Sequence, residues 1–242
     1  MSAPKPKLND ARLYIDGQWQ DRSDATQIAV VDPFTEHVVG RIAAGSAADV
    51  ELAVAAARRA FGTFSLSTVE KRLALLGRIL GLLEERSELF AQAIVREMGA
   101  AIGFARAFHV PYAIEHVRVQ MEVLRRYAFL SREGGTATAK EPIAVCALIT
   151  PWNWPLYQIT AKVAPAIAAG CTVVLKPSEL SPYSAQLFAQ VMHDAGVPAG
   201  VFNLVGGTGE VVGAALALHP EVDMISITGS TRAGVLVAQA AA

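Results

Sequence analysis

Two side chains in the second half of the chain stand at a spacing that suits the binding of a sugar. Lys176 and Glu179 are separated by the turn residues Pro and Ser. A carboxylate accepts both hydroxyl protons of a ribose, and a lysine can donate to the same sugar. The alternative, the commoner case for these residue types, is a surface lysine and glutamate that flank a turn. The spacing alone leaves both interpretations open.

Glycine and hydroxyl residues in two further turns could hold a phosphate. Glycines in the segment 206–213, among them Gly209 and Gly213, let the backbone approach a ligand at the start of a helix. Their spacing resembles the dinucleotide fingerprint GxGxxG but has one residue too many before the last glycine. In the other turn, Thr228, Gly229 and Ser230 offer amides and hydroxyls that suit a pyrophosphate. The alternative there is an ordinary serine cap of a helix.

A fourth turn combines a side-chain amide with an aromatic ring. It runs through Ile149, Thr150, Pro151, Trp152 and Asn153, directly after an unbroken apolar run. This order places Trp152 and Asn153 at the carboxyl end of a strand, where ligands bind in open α/β sheets. The alternative is that Asn153 only makes the turn and that Trp152 fills the core.

An alternation of strands and helices positions these turns. The predicted strands cover 143–149, 172–176, 201–205 and 224–228, and the predicted helices cover 155–169, 181–195, 207–218 and 230 onward. This alternation indicates an α/β fold, a Rossmann-like parallel sheet with flanking helices. The carboxyl ends of parallel strands share one edge of the sheet, so the four turns are expected to meet there. We therefore predict a dinucleotide site.

The first 135 residues are predicted to form a hairpin-like segment followed by a helical region. Asp16-Gly17 is a hairpin turn signal, and Gly62 is expected to stop the first helix. The predicted helices cover 46–61, 68–98 with a break near Ser87, and 104–130 with a distortion at Pro111. The predicted organisation is an N-terminal region over 1–135, an extended segment over 136–149 and βα units over 150–242.

Composition excludes several classes of function. The 242 residues are 52% hydrophobic and 18% charged, with a formal net charge of -1. No long-range field therefore attracts nucleic acid or an anionic membrane. The longest apolar stretch, over 163–175, is interrupted by Pro165 and Gly170 and is shorter than the ~20 residues of a bilayer span. No secretory signal is recognised at the start, and a cytoplasmic location is expected.

The cysteines and histidines give no sign of a nucleophile or a metal. Cys146 lies inside a predicted strand and Cys171 at the entry of another. Both are interpreted as small buried hydrophobic residues, without the exposed, electropositive setting that activates a thiol. The five histidines are scattered and form no ligand spacing with Cys, Asp or Glu. No metal site is therefore predicted.

Taken together, the motifs resemble the aldehyde dehydrogenase superfamily over essentially the whole chain. The segments that carry the resemblance include IDGQW at 15–19, TPWNWP at 150–155, AGCTVVLKPSE at 169–179 and TGST at 228–231. The resemblance implies NAD-dependent oxidation of a small-molecule aldehyde to a carboxylic acid. In such enzymes a cysteine thiolate attacks the aldehyde, and a glutamate-activated water hydrolyses the thioester. Ile227 replaces the usual aromatic before Thr-Gly-Ser, which predicts a change in packing alone.

The resemblance also implies roles for individual residues. Asn153 matches the amide that stabilises the oxyanion, and Lys162 matches a lysine with a supporting catalytic role, although a solvated helix lysine is an equal alternative. Tyr157 and Ala161 are expected to face the substrate tunnel. The residues expected to contact the cofactor are Ile149, Thr150, Pro151, Trp152, Asn153, Lys176, Glu179, Gly209, Gly213, Thr228, Gly229 and Ser230.

NAD is expected to be preferred to NADP, because Glu179 accepts hydrogen bonds from a free 2′-hydroxyl but repels a 2′-phosphate. Lys176 softens that discrimination. In the family, the nucleophilic cysteine and the glutamate base follow the Gly-Ser-Thr turn, in segments that these 242 residues do not contain. We therefore expect a truncated cofactor domain that is inactive alone and that belongs to a homo-oligomeric enzyme, with 136–149 as its oligomerisation strand. The alternative is a non-catalytic dinucleotide-binding module that acts as a regulator or scaffold.

Overall fold

The computed structural model describes residues 9, 10 and 12–242, with side chains from residue 12 onward. Its strands confirm the α/β class, and they form sheets of six, three and two strands within these residues. The strands are β1 (Asn9–Asp10), β2 (Arg12–Ile15), β3 (Gln18–Asp21), β4 (Gln27–Val31), β5 (Val38–Ala43), β6 (Leu130–Glu133), β7 (Thr136–Ala139), β8 (Val145–Ile149), β9 (Thr172–Lys176), β10 (Phe202–Leu204) and β11 (Met224–Ile227).

The six-stranded sheet contains the predicted parallel unit. Its order is β11-β8-β9-β10-β2-β3, and the first four strands are parallel. Every residue of β8 and β9 is buried, as expected for strands covered by helices on both faces. From β8 the chain adds β9 and then β10 on one side, and β11 returns to the other side of β8. This reversal creates a topological switch point between β8 and β11, where open α/β sheets bind ligands.

Helices cover both faces of this sheet. They are α1 (Ala47–Phe64), α2 (Val69–Glu85), α3 (Ser87–Met98), α4 (Ile102–Phe104), α5 (Val110–Arg126), α6 (Pro155–Ala169), α7 (Tyr183–Asp194), α8 (Ala214–Leu218) and α9 (Thr231–Ala241). Val145 and Ala147 of β8 pack in one core cluster with α1 and α8. Cys146 and Leu148 pack on the other face with α2, α5, α6 and α7. This alternation follows from the two-residue period of a strand.

The N-terminal hairpin extends the same sheet, which the sequence did not indicate. Asp16 and Gly17 have φ angles of 54° and 75°, the left-handed pair that a type I′ turn needs between β2 and β3. Strand β2 then pairs antiparallel with β10. The Asp16 amide donates to Asn203 Oδ1 at 2.9 Å, and Asn203 is fully buried in β10. The sheet therefore takes strands from all three predicted segments of the chain.

The first helix runs further than predicted. Ser46 caps its start in a capping box with Asp49, as the N-cap signal indicated. The predicted stop at Gly62 is wrong, because α1 continues to Phe64. A glycine inside a helix costs only about 1 kcal/mol relative to alanine. Phe64 is buried in the main core cluster, and that burial outweighs the penalty. The break predicted near Ser87 is confirmed, since α2 ends at Glu85.

The third helical segment differs from the prediction at both ends. It begins with α4, continues through a π-helical turn (Ala105–His109) and ends with α5 at Arg126. The distortion expected at Pro111 is the π-helical turn, which lies one turn before the proline. In a regular helix the proline ring would clash with the carbonyl of residue 107, and the proline has no N–H to donate to it. The predicted extension to Leu130 is wrong. Leu130 instead begins β6, which pairs with β7.

The predicted extended segment over 136–149 divides between two sheets. Its first part is β7, the second strand of an exposed hairpin with β6. Its last part is β8, the central strand of the parallel unit. The residues from Lys140 to Ala144 connect the two and form no strand. Turn residues Gly134 and Gly135 close the hairpin, with Gly134 at a φ of 58°.

The cap predicted for the helix after β9 is wrong, and a distant carboxylate replaces it. The helix begins at Tyr183, and Ser181 makes no side-chain cap. Instead, the carboxylate of Glu97, in α3, accepts hydrogen bonds from the amides of Tyr183 and Ser184 at 2.5 and 3.1 Å and from the Ser184 hydroxyl. Glu97 is only 4% exposed. It therefore anchors α3 to the start of α7.

We expect Glu97→Ala to lower the free energy of unfolding by about 3 kcal/mol, because two buried amides and a hydroxyl lose their acceptor. Urea unfolding at about pH 5 measures the change. Burial raises the pKa of Glu97 to about 7, so its contribution is fully present below its unfolded value of 4.5 and is lost as the pH rises through about 7. The difference between wild type and variant should therefore shrink between about pH 5 and about pH 8.

The matched control is Glu122→Ala, which removes an exposed carboxylate that pairs with Arg126 on α5. Its effect should be at most about 0.5 kcal/mol at either pH. Equal destabilisation by the two variants would show that the Glu97 carboxylate does not anchor α7.

Candidate functional site

The strand register aligns three of the four predicted turns in one row. Ile149 at the end of β8 pairs with Lys176 of β9 on one side and with Ile227 of β11 on the other. The amide of Thr150 donates to the carbonyl of Lys176 at 3.1 Å, and the amide of Thr228 donates to the carbonyl of Ile149 at 3.1 Å. The turns after β8, β9 and β11 therefore leave the sheet side by side, across the switch point.

The turn after β8 presents an amide and an aromatic ring to solvent. Pro155 opens α6 at the first helical position, and the three residues before it, 152–154, form a bend that is not helical. Trp152 is 52% exposed, and Asn153 is also exposed. Over the described residues, the Asn153 amide has no protein hydrogen-bond partner. Its N–H groups are therefore free to donate to a ligand, and the alternative in which Trp152 fills the core is wrong.

The turn after β9 holds the predicted ribose pair in contact. Lys176 Nζ donates to Glu179 Oε2 at 2.9 Å. The Lys176 side chain is 4% exposed and the Glu179 side chain is 32% exposed. A buried ammonium requires such a partner. The second carboxylate oxygen and the two other ammonium protons leave capacity to bind a ligand hydroxyl.

The glycine-rich turn after β10 packs against the end of β8. A Cβ built on Gly213 would lie 3.8 Å from Ile149 Cδ1, whereas one on Gly209 would meet nothing within 4 Å. The predicted helix start at 207 is wrong, because Gly207 has a φ of 145°, outside the helical region. Thr208 caps the π-helical turn (Gly209–Gly213) that precedes α8. The backbone around Gly209 is therefore open to a ligand.

The turn after β11 starts a helix, as predicted. The hydroxyl of Ser230 accepts a hydrogen bond from the amide of Ala233 at 3.2 Å and so caps α9. Gly229 and Ser230 are both exposed. The alternative of a serine cap is therefore correct for the Ser230 side chain. The first amides of α9 lie directly after β11, beside the switch point, and the start of a helix favours an anion.

Lys162 is hydrogen-bonded to β11, the strand that leads into the turn at Thr228. It lies on α6, and its Nζ donates to the hydroxyl of Ser226 in β11 at 2.8 Å. Burial lowers the pKa of Lys162. The simple alternative of a fully solvated helix lysine is therefore not what the structure shows.

A cluster of aromatic rings lies beside Asn153, and Tyr157 is the one member for which the sequence predicted a place at the site. Trp154 stacks on the buried His109 with ring centroids 4.1 Å apart, and its ring lies nearly parallel to Tyr112. Tyr157 and Phe104 approach the same indole edge-on. The helical spacing of the aromatics at 104, 108 and 112 is the sequence signal that could have revealed this cluster.

The two cysteines lie away from this row. Cys146 and Cys171 are both buried free thiols. Cys171 precedes the first residue of β9 and Lys176 ends that strand, so the two are about 16 Å apart along it. Within the described residues no three His, Cys, Asp or Glu side chains could hold a metal ion. In the same part of the chain, no helix is long and apolar enough to cross a membrane.

Comparisons with known proteins agree on one family. The sequence model "Aldehyde dehydrogenase family" matches residues 19–242. A 3-succinoylsemialdehyde-pyridine dehydrogenase from Pseudomonas sp is 51% identical over 231 residues, which are 95% of this chain and 48% of that protein. A mutant of aldehyde dehydrogenase C from Pseudomonas syringae, solved with NAD+ and octanal, is 63% identical at a TM-score of 0.96 and is matched over 99% of this chain and 50% of its own.

A third similar protein is the lactaldehyde dehydrogenase of Escherichia coli, 36% identical with a TM-score of 0.91. The match covers 96% of this chain and 50% of that one. The chain thus spans about half the length of the relatives that it matches.

Proposed function

Because the chain belongs to the aldehyde dehydrogenase family, we propose that it supplies the nucleotide-binding part of an enzyme that oxidises an aldehyde to a carboxylic acid with NAD+. The observation that carries the proposal is the row of turns across the switch point, with the Lys176–Glu179 pair at one side and Gly229 and Ser230 at the other. A dinucleotide needs a ribose partner and a pyrophosphate partner at the same edge of the sheet. The row provides both.

The residues present fit NAD. Glu179 and Lys176 retain hydrogen-bonding capacity for the adenosine ribose, and Trp152 exposes a flat ring in the turn after the neighbouring strand. The open backbone at Gly209 leaves room for a base, and the amides at Gly229 and Ser230 suit the pyrophosphate. When bound, NAD+ supplies the hydride acceptor for the oxidation.

Asn153 and Lys162 are the residues that we assign to the reaction. The free amide of Asn153 donates to the oxygen on which negative charge develops when a nucleophile attacks the aldehyde. Lys162 is bonded to Ser226 in β11, the neighbour of β8, and we assign its positive charge a supporting role in the reaction. The nucleophilic cysteine itself is assigned, by family resemblance, to a segment outside these 242 residues.

We propose an apolar aldehyde, aliphatic or aromatic, as the substrate. The aromatic cluster around Trp154 begins one residue after Asn153, and Phe104, Phe108 and Tyr112 each keep more than two fifths of their surface exposed. These rings can bury a hydrocarbon chain or a ring that follows the aldehyde carbon. The two most similar proteins described above, one named for a pyridine semialdehyde and one solved with octanal, support this choice.

Replacing Trp154 tests the substrate class in the enzyme that carries this chain. We expect Trp154→Ala to lower kcat/KM for octanal about 10- to 100-fold, because the indole buries the alkyl chain. Acetaldehyde, which has no such chain, should lose less than about threefold. Phe34→Ala is the control, because Phe34 is 89% exposed in a distant turn. Equal losses for both aldehydes would contradict an apolar pocket at Trp154.

Isothermal titration with both nucleotides tests the cofactor proposal. Wild type should bind NAD+ more tightly than NADP+, and Glu179→Gln should weaken NAD+ about tenfold while narrowing the gap between the two, because an amide does not repel a 2′-phosphate. The exposed hairpin residue Glu133 supplies the control variant Glu133→Gln, which should change neither affinity. Tighter NADP+ binding by wild type would refute the preference.

We also propose that the enzyme is a homo-oligomer and that the β6–β7 hairpin contacts another subunit. All eight residues of β6 and β7 are exposed, and among the described residues these two strands pair only with each other. Leu130 on this hairpin is 59% exposed. An exposed strand edge of this kind suits pairing with another subunit.

A further inference from the structure

His109 is a buried aromatic side chain to which the proposed reaction assigns no role. It is 2% exposed, and its ring stacks on the indole of Trp154 with centroids 4.1 Å apart and an angle of 29° between the planes. Phe104 meets the same imidazole edge-on, with centroids 5.2 Å apart. His109 is thus the inner member of the aromatic cluster, whereas Phe104, Phe108 and Tyr112 are exposed.

The π-helical turn explains why this histidine is buried although Phe108 and Tyr112 on either side of it are exposed. The amide of Val110 donates to the carbonyl of Ala105, five residues earlier, so the turn holds one residue more than a regular helical turn. The extra residue rotates the side chains of the turn relative to those of α5, and His109 is the last residue of that turn. Such turns are frequent at functional sites. Here the turn places an imidazole against the residue that follows Asn153.

No local hydrogen bond fixes the ring of Trp154. Trp154 is the N-cap residue of α6 but makes no side-chain cap, and its φ of -141° and ψ of 62° lie outside the helical region. Over the described residues, no protein group accepts a hydrogen bond from its indole N–H. The orientation of the indole is therefore set by the rings that pack on it, and the imidazole of His109 is the one that stacks at the shortest distance among them.

The imidazole suits this contact because it is uncharged. Burial lowers the pKa of His109, and no charged side chain among the described residues opposes that shift. Near pH 7 the ring is therefore neutral. A neutral imidazole presents a flat face to the indole, and phenylalanine can supply a face of the same kind.

We propose that His109 is a positioning residue for the indole of Trp154 and that, through this ring, it favours aldehydes with a long apolar chain. When the imidazole fixes the indole beside Asn153, the ring already has the orientation in which it packs on the chain, and binding of the aldehyde does not have to order it. His109 therefore acts through Trp154. Its effect on specificity rests on the proposed function of this chain, whereas the stacking of the two rings does not.

Steady-state kinetics of the enzyme that carries this chain test the effect on specificity. We expect His109→Ala to lower kcat/KM for octanal about 5- to 10-fold, mainly through a higher KM, because a loosened indole packs less well on the alkyl chain. Acetaldehyde should lose less than about twofold. His109→Phe should keep at least about half of the wild-type value for octanal, whereas His109→Leu, which fills the space without a flat ring, should lose as much as His109→Ala. The exposed His37 supplies the control variant His37→Ala, which should change neither value.

Near-ultraviolet circular dichroism tests the stacking without turnover. The difference between a protein and its Trp154→Phe counterpart isolates the signal of one indole, whatever other tryptophans are present. We expect His109→Phe to keep this signal and both His109→Ala and His109→Leu to lose more than about half of it, because an indole that is not stacked averages over several rotamers.

The two measurements separate the positioning role from the proposed function. An indole signal that is unchanged in His109→Ala, or equal losses of octanal activity in His109→Leu and His109→Phe, would overturn the proposal. An indole signal that depends on His109, together with equal losses for octanal and acetaldehyde in Trp154→Ala, would confirm the stacking and refute the apolar pocket.

Discussion

The 242-residue chain, saturated with NAD+ and given an aldehyde, is expected to form no NADH above the uncatalysed rate. Cys146 is fully buried in β8, and Cys171 lies at the edge of the sheet opposite the turns that would hold the cofactor. Neither sulfur can reach an aldehyde carbon next to Asn153. An oxyanion donor without a nucleophile gives no covalent catalysis, and loss of the nucleophile costs a serine protease on the order of 10⁶ in kcat.

The measurement is NADH absorbance with several aldehydes, on a sample whose NAD+ binding has first been confirmed by titration. Binding without turnover is the expected combination, and it is also what a non-catalytic binding module would show. Turnover that Cys171→Ser or Cys146→Ser abolishes would mean that one of these thiols is a nucleophile after all. Cys171→Ser should otherwise leave NAD+ binding unaffected, because about 16 Å of β9 separates that sulfur from Lys176.

Among single substitutions within these 242 residues, removal of the Asn153 amide is expected to have the largest effect on the activity of the enzyme that carries this chain. Asn153→Ala should lower kcat by about 10²–10³, the usual cost of losing one oxyanion donor, because the amide acts on charge that exists only in the transition state. The KM for the aldehyde and the affinity for NAD+ should change little, because the same interaction contributes little to the ground state. Steady-state kinetics and nucleotide titration separate these quantities.

A control variant and a stability measurement show whether the loss of kcat in Asn153→Ala comes from the missing oxyanion donor. Gln190→Ala removes a side-chain amide of similar size from the exposed face of α7, where it bonds Asp194, and should leave kcat unchanged. Asn153→Ala should also keep the unfolding midpoint of wild type, because the side chain is exposed and unbonded over the described residues. A loss of NAD+ affinity equal to the loss of kcat would assign Asn153 to cofactor binding instead of oxyanion stabilisation.

The sequence alone determined the elements whose signals are local. The serine cap at Ser46, the Asp16-Gly17 turn, the glycine stop at Gly170 and the proline start at Pro155 all form as expected. Each of these signals depends on backbone preferences and hydrogen bonds within about four residues, so neighbours in sequence suffice to specify it. The alternation of these elements was also enough to predict a parallel sheet, and with it a shared edge for the four turns.

The tertiary structure alone decided the contacts between residues that are far apart in the chain. Strand β2 joins the sheet beside β10, Glu97 caps a helix 86 residues later, and Trp154 stacks on His109. The side chain of Arg72, on α2, likewise lies against the turn at Gly170, almost 100 residues later in the chain. No local preference encodes such pairings, because they arise when separate apolar faces pack and each buried polar group must find a partner.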